Sequence, residues 1–142
     1  MKTTVFTGNF SNLDKIGDFY TAAAEEAGLD EKSTSDVQLA VDEAASNIIE
    51  HAYGGQSQGN IECSYDVHPD KLIIVIKDYG KPFDPELVAH PDLKSDLCER
   101  EIRGLGLHFM RSLMDTLEFT FNGEGGNVLT MVKQRAKSTN PS

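Results

Sequence analysis

Apolar residues recur along this chain in two periods, and the switch between them divides it into helical and strand-forming parts. Leu13, Ile16, Tyr20, Ala23, Ala24 and Ala27 fall on one face at about 100° per residue, which predicts an amphipathic helix stopped by Gly28. Ser11 with Asp14 three residues on reads as a variant capping box that opens it. Val5 and Phe6, just before, begin an edge strand. A second helix is expected over Val37 to Tyr53, with Val37, Val41, Ala44, Ile48 and Ala52 on its buried stripe. Two caps compete to start it, Ser33 with Asp36 or Ser35 with Gln38, and Gly54-Gly55 marks its end.

The period then becomes two. Ile61, Cys63, Tyr65 and Val67 alternate with polar residues, His68-Pro69-Asp70 turns, and Leu72 to Ile76 is a continuous apolar run. This predicts an antiparallel hairpin with a central second strand, which Gly80, Pro82 and Pro85 end abruptly, leaving Asp78 at its mouth. Glu86 to Arg103 has no clean period and carries Pro91, so it reads as a long surface loop of the kind that serves as a lid. Gly104-Leu105-Gly106 opens a third helix with Leu107, Met110, Leu113 and Met114 on its buried stripe. Leu117, Phe119 and Phe121 form a strand, Asn122 to Gly126 turns, and Asn127 to Lys133 returns.

Strands grouped in hairpins rather than alternating with crossover helices predict an α+β two-layer sandwich, a mixed, mostly antiparallel sheet covered on one face by three helices. Residues 1–136 suit one domain; core positions give out from Gln134, and 137–142 reads as a frayed tail.

Charge and composition narrow the function. A net charge of −10 over 142 residues argues against a protein that grips phosphate backbones directly, and favours a basic protein partner. No apolar run approaches the ~20 residues a membrane helix needs, and the N-terminus lacks the apolar core of a signal peptide, which points to the cytoplasm. Cys63 and Cys98 lack metal-ligand spacing and read as free thiols.

Glu43, Asn47 and Glu50 lie on the flank of the second helix's apolar stripe, where a polar face borders the core. Glu43 and Asn47 are one turn apart, so a carboxylate and a neutral oxygen donor share one surface. Taken alone, such a pair is an ordinary solvated face. A glycine-rich turn feeding a helix, however, exposes unpaired N–H groups suited to phosphate oxygens, and a carboxylate at a strand end accepts from an exocyclic amine such as that of adenine. Asn47 offers an oxygen to Mg²⁺, which keeps waters and bridges phosphates, beside Glu43 as a proton acceptor.

The set Glu43-x-x-x-Asn47, Asp78-x-Gly80 and Gly104-x-Gly106 resembles the three sequence boxes of the GHKL ATPases, the superfamily of histidine kinases, gyrase and Hsp90. Within it the chain is most similar to the stand-alone anti-sigma factor serine/threonine kinases of bacteria. Asn47-x-x-x-His51-Ala52-Tyr53, Pro82-Phe83-Asp84-Pro85, Arg103-Gly104-Leu105-Gly106-Leu107, Leu113-Met114-Asp115 and Gly125-Gly126-Asn127-Val128 carry that resemblance, which runs from Phe6 to Lys133. It implies a Bergerat-type fold and ATP site: Glu43 as general base, Asn47 as Mg²⁺ ligand, Asp78 as adenine anchor, and Gly80 admitting the base. Gly104 and Gly106 would underlie the phosphates, Arg100 or Arg103 would reach the γ-phosphate, and Phe83, Leu105, Leu107 and Thr130 would line the nucleotide. Lys81-Pro82 departs from the additional glycine of many members. His51 matches a family position, but a packed structural histidine is the more frequent explanation. The implied partners are a sigma factor and a STAS-domain antagonist, the second being the phosphate acceptor, with homodimerisation common in the family. Competing readings are a non-catalytic nucleotide-binding module that sequesters a partner, a histidine-kinase ATP domain and a topoisomerase-type clamp; the last two need further domains.

Overall fold

The computed structural model describes residues 1–52, 59–80, 109–121 and 126–135. Its sheet has five strands in the order β1-β2-β3-β5-β4: β1 Lys2–Thr7, β2 Asn60–Val67, β3 Lys71–Asp78, β4 Thr116–Phe121 and β5 Asn127–Gln134. Every neighbouring pair in it is antiparallel. β1 is an edge and β3 is central, as the residue pattern predicts. β4 and β5 form a hairpin in which the second strand, not the first, lies against β3. That insertion makes β3 and β4 point the same way without touching.

Alternation decides which side of the sheet is core. Ile61, Cys63 and Tyr65 of β2, Leu72, Ile74, Ile76 and Asp78 of β3, and Asn127, Leu129 and Met131 of β5 are buried. Residues between them, including Ile73, Val75, Val128, Thr130 and Val132, are only partly covered on the opposite face. The apolar run of β3 is therefore continuous because its open face is also apolar, whereas β2 shows plain alternation.

Two helices lie on the core face, α1 Leu13–Glu26 and α2 Glu31–Asn47. Both start away from the predicted caps. Asn9, not Ser11, is the capping side chain: it accepts from the Ser11 N–H at 2.9 Å and opens a 3₁₀ turn, Phe10–Asn12, that runs into α1. The Ser11–Asp14 box does not form. At the far end Gly28, at φ 75°, donates to the Glu25 carbonyl while Leu29 donates to that of Ala24, a Schellman closure. For α2, Asp30 is the cap, its carboxylate accepting from Ser33 N–H at 2.7 Å. The helix thus begins about a turn and a half before Val37, and Asp36 is an interior residue.

The end of α2 also differs. Ile48–Ala52 continues as a π-helix. Ile49 is fully buried, continuing the stripe of Val37, Val41 and Ala45, while Ile48 is only partly so. The predicted end at Gly54-Gly55 lies outside the described residues.

Tyr20 fastens α1 to the sheet. Its buried hydroxyl lies 3.0 Å from the carbonyl oxygens of both Ser64 and Val75, a register pair of β2 and β3. Phe19 beside it makes edge-on contacts with Phe6, Tyr20 and Tyr65, with ring centroids 5.0 to 6.2 Å apart. A third helix, α3, whose described part is residues 109–113, adds Met110 and partly buried Leu113, followed by buried Met114. Leu107 of its predicted stripe lies outside the described residues, as does the loop from Glu86 to Arg103. The chain past Lys133 stays ordered further than the pattern suggests: Gln134 completes β5, and Arg135 N–H donates to the Asp70 carbonyl at 2.7 Å. Residues 136–142 lie outside the described set.

One ion pair ties three elements together. Lys133 of β5 donates to Asp36 of α2 at 3.0 Å and to the carbonyl of Leu113 at the end of α3, and both charged side chains are 13% exposed. Lys32 reaches the same Asp36 oxygen from solvent at 3.3 Å. Burial by itself would raise the Asp36 pKa; the hydrogen bonds from Lys133 and Lys32 outweigh it and hold the carboxyl below its ordinary value. A carboxyl so depressed contributes stability above its unfolded pKa of about 3.9, and that contribution is lost as pH falls through the lower folded value. Lys133→Met strands the Asp36 charge and should cost about 3 kcal/mol in denaturant unfolding at pH 7. The cost should shrink when both proteins are compared at acid pH, once Asp36 is protonated.

Candidate functional site

A carboxylate at the end of a central strand is expensive to bury, and Asp78 is 5% exposed. The register explains how it is kept. Asp78 pairs with Asn127, the first residue of β5, and antiparallel partners share a face, so the Asn127 amide stands next to the carboxylate. Asn127 Nδ2 donates to Asp78 Oδ1 at 2.9 Å and to the Gly80 carbonyl at 3.1 Å, and Gly80 N–H donates to the same Oδ1 at 2.9 Å. Asn127 itself is 8% exposed. Both bonds to the carboxylate land on Oδ1, and among the described residues no donor meets Oδ2. Burial pushes the Asp78 pKa up, and the two hydrogen bonds only partly offset it.

The turn into β5 brings backbone against backbone here. Gly126 has φ 89°, and a Cβ on it would stand 2.7 Å from the Asp78 carbonyl oxygen and 3.0 Å from the Tyr79 ring. Glycine is required on both counts. Tyr79, 52% exposed, meets residues of the sheet's open face, with its hydroxyl 3.4 Å from Glu62 and the Lys77 ammonium 5.1 Å from its ring centre.

The sequence-derived site residues divide into three groups. Asp78 and Gly80 are brought together, bonded through Oδ1. Glu43 and Asn47 occupy the last turn of α2, both half-buried, on the layer that covers the Asp78 face of the sheet; Asp78 bonds to Asn127 and Gly80 and not to either of them. The π-helix begins at the residue after Asn47. Thr130 pairs with Val75 and Glu118 on the face turned away from the helices, opposite to Asp78, because strand neighbours alternate and 127 and 130 differ in parity. Phe83, Arg100, Arg103, Gly104, Leu105, Gly106 and Leu107 lie outside the described residues.

Asn127 is the functional residue that the pattern did not single out. In sequence it looks like the close of a Gly-rich turn; only the β3–β5 register places it on the carboxylate. A buried acceptor oxygen that meets no donor among the described residues can accept from an external N–H. No group of three His, Cys, Asp or Glu suited to a metal occurs among the described residues.

Comparison with known proteins agrees with this geometry. Residues 6–133 match the histidine kinase-like ATPase domain family. The chain belongs to that family. It is 31% identical over 125 residues to the serine-protein kinase RsbW of Listeria monocytogenes serovar 1/2a, covering 81% of this chain and 80% of the relative. It is 36% identical over 113 residues to the RsbW of Staphylococcus epidermidis, covering 75% and 69%. The catalytic domain of the histidine kinase ThkA, nucleotide-free, superposes with a TM-score of 0.56 over 95% of this chain and 98% of that one; at 17% identity it shares the fold.

Two neighbouring substitutions should act in opposite directions on the nucleotide-free protein. An acid with a raised folded pKa contributes stability that is fully present below the unfolded value and is lost as pH rises through the folded one. Asp78→Asn keeps an acceptor for Asn127 and Gly80 while removing the buried charge, so thermal melting at pH 7 should rise by a few degrees, on the order of 1 kcal/mol. Gly126→Ala should lower it by about 1–3 kcal/mol through strain and contact with Asp78.

Proposed function

We propose that the chain is an ATP-dependent serine/threonine-protein kinase that also acts as an anti-sigma factor. The observation that carries the nucleotide half of this reading is Asp78: a buried carboxylate on the central strand with one oxygen engaged by Asn127 and Gly80 and the other meeting no donor among the described residues. The protein-kinase half is supported by the RsbW relatives, named as serine-protein kinases, of which the chain spans 69–80% of the length.

In this reading ATP binds with its adenine on Asp78 and Gly80 and its Mg²⁺ on Asn47. Gly104 and Gly106 lie under the phosphates with Phe83, Leu105 and Leu107 around them, and Arg100 or Arg103 neutralises charge on the transferred group. Mg²⁺, when bound, supplies charge neutralisation between phosphate oxygens. Glu43, one helical turn from Asn47 on α2, takes the proton from the acceptor hydroxyl. The acceptor is a serine or threonine of a STAS-domain antagonist. The competing partner is a sigma factor, whose basic DNA-binding surface suits a chain of net charge −10. The protein itself does not contact nucleic acid, works in the cytoplasm and functions as a homodimer. No helix among the described residues is long and apolar enough to cross a membrane.

The alternative is a module that binds nucleotide and sequesters a partner without chemistry. Glu43 separates the two, because a pure binder has no use for a base. Purified protein mixed with Mg-ATP and STAS-domain proteins should yield phosphoserine or phosphothreonine by mass spectrometry. Glu43→Ala should slow that transfer by roughly 10²–10⁴-fold while leaving ATP binding within a few-fold. Transfer that is undiminished in Glu43→Ala, or absent in the wild type despite ATP binding, would favour the module.

A further inference from the structure

The hydrogen bonds around Asp78 determine more than its burial. An amide's two ends are distinguished by what they face, and here the surroundings allow one orientation. Asp78 Oδ1 and the Gly80 carbonyl are both acceptors, so the Asn127 nitrogen must point at them, and its two protons are both used, at 2.9 and 3.1 Å. Oδ1 of Asp78 takes a second bond from Gly80 N–H. Both of its lone-pair directions are then filled. The torsion that turns a carboxylate about its last bond is broad and soft when nothing holds it. Two donors on one oxygen fix the carboxylate plane. Gly126 packs against the Asp78 backbone carbonyl, where a Cβ would stand 2.7 Å away, which holds the strand end that carries the carboxylate.

What remains of this pair for a ligand is of a single kind. Among the described residues neither Asp78 Oδ2 nor the Asn127 amide oxygen meets a donor, and both side chains are more than nine-tenths buried. The pair offers acceptors and no donors.

We infer that Asn127 is a positioning residue that sets base specificity: by pinning the Asp78 carboxylate with its amine-facing oxygen fixed, it makes the pocket accept a 6-amino purine and reject a 6-oxo purine. The inference rests on the nucleotide-site reading above. A free carboxylate could turn, or admit a water, when a carbonyl oxygen approaches. A pinned one cannot relax, and two lone pairs are forced together. A site built to accept a hydrogen bond rejects a ligand lacking the donor far more strongly than an apolar pocket rejects an isostere.

Calorimetric titration of Mg-ATP and Mg-inosine triphosphate into wild type, Asn127→Leu and Asn127→Ala tests it. Leucine keeps the size and removes the donor; alanine covers the case in which the larger apolar group prevents folding, and thermal melting identifies which variants are folded. Wild type should favour ATP over inosine triphosphate by at least ~100-fold. The variants should lose tenfold or more of that ratio, with inosine triphosphate gaining relative to ATP. A purely structural role would weaken both nucleotides together and leave the ratio unchanged, which overturns the inference while keeping the site. Equal affinity for the two in wild type also overturns it. Binding of neither by wild type removes the nucleotide reading itself and the inference with it.

Discussion

The register between β3 and β5 is the constraint on which the site depends. Setting Asp78 opposite Asn127 puts a charged end of the central strand beside the one amide able to satisfy it, and the same pairing aligns Ile76 with Leu129 and Ile74 with Met131 in the core. A slip of one residue would turn Asn127 to the open face and leave a buried carboxylate with a single backbone donor. Packing and polar satisfaction therefore select the same register, and the hairpin that inserts β5 between β3 and β4 makes the pairing possible.

The helical layer is fixed to that sheet at two places of different character. Tyr20 and the Phe6, Phe19 and Tyr65 rings hold α1 over β1 and β2 through apolar contact and a hydroxyl shared between two carbonyls. Lys133 joins β5 to α2 and to the end of α3 through charge. The second link is relevant to function, because α2 carries Glu43 and Asn47 and α3 follows the glycine-rich turn. A buried ion pair contributes little net stability against an apolar substitute, yet strongly penalises any arrangement that separates its members. It holds those elements in one relation.

Strand placement was readable in the sequence because side chains alternate, and β2 and β4 write that alternation directly. The continuous run of β3 identified it as central for the same reason. Helix starts were not readable. Asn9, Ser11, Asp30, Ser33 and Ser35 are all competent caps, and only the path of the chain into the layer decides that Asn9 and Asp30 are used. The π-helix after Asn47 left no trace in the apolar stripe. Asp78 was legible as a carboxylate at an abrupt strand end, and Glu43 with Asn47 as a polar flank on a core helix. Asn127 was not, since its role exists only across the sheet, and Thr130 was assigned to the site before its face was known.

The proposed chemistry rests on a single asymmetry: among the described residues, one oxygen of the buried Asp78 carboxylate takes both donors and the other meets none. Leaving it so costs stability in the empty protein, and the cost is recovered when a donor arrives. Calorimetry with ATP on wild type and Asp78→Asn tests this most directly. The account predicts that wild type binds and that Asp78→Asn binds at least tenfold more weakly although it melts no lower. Equal binding by the two proteins, or a wild type with no affinity for ATP, would contradict it.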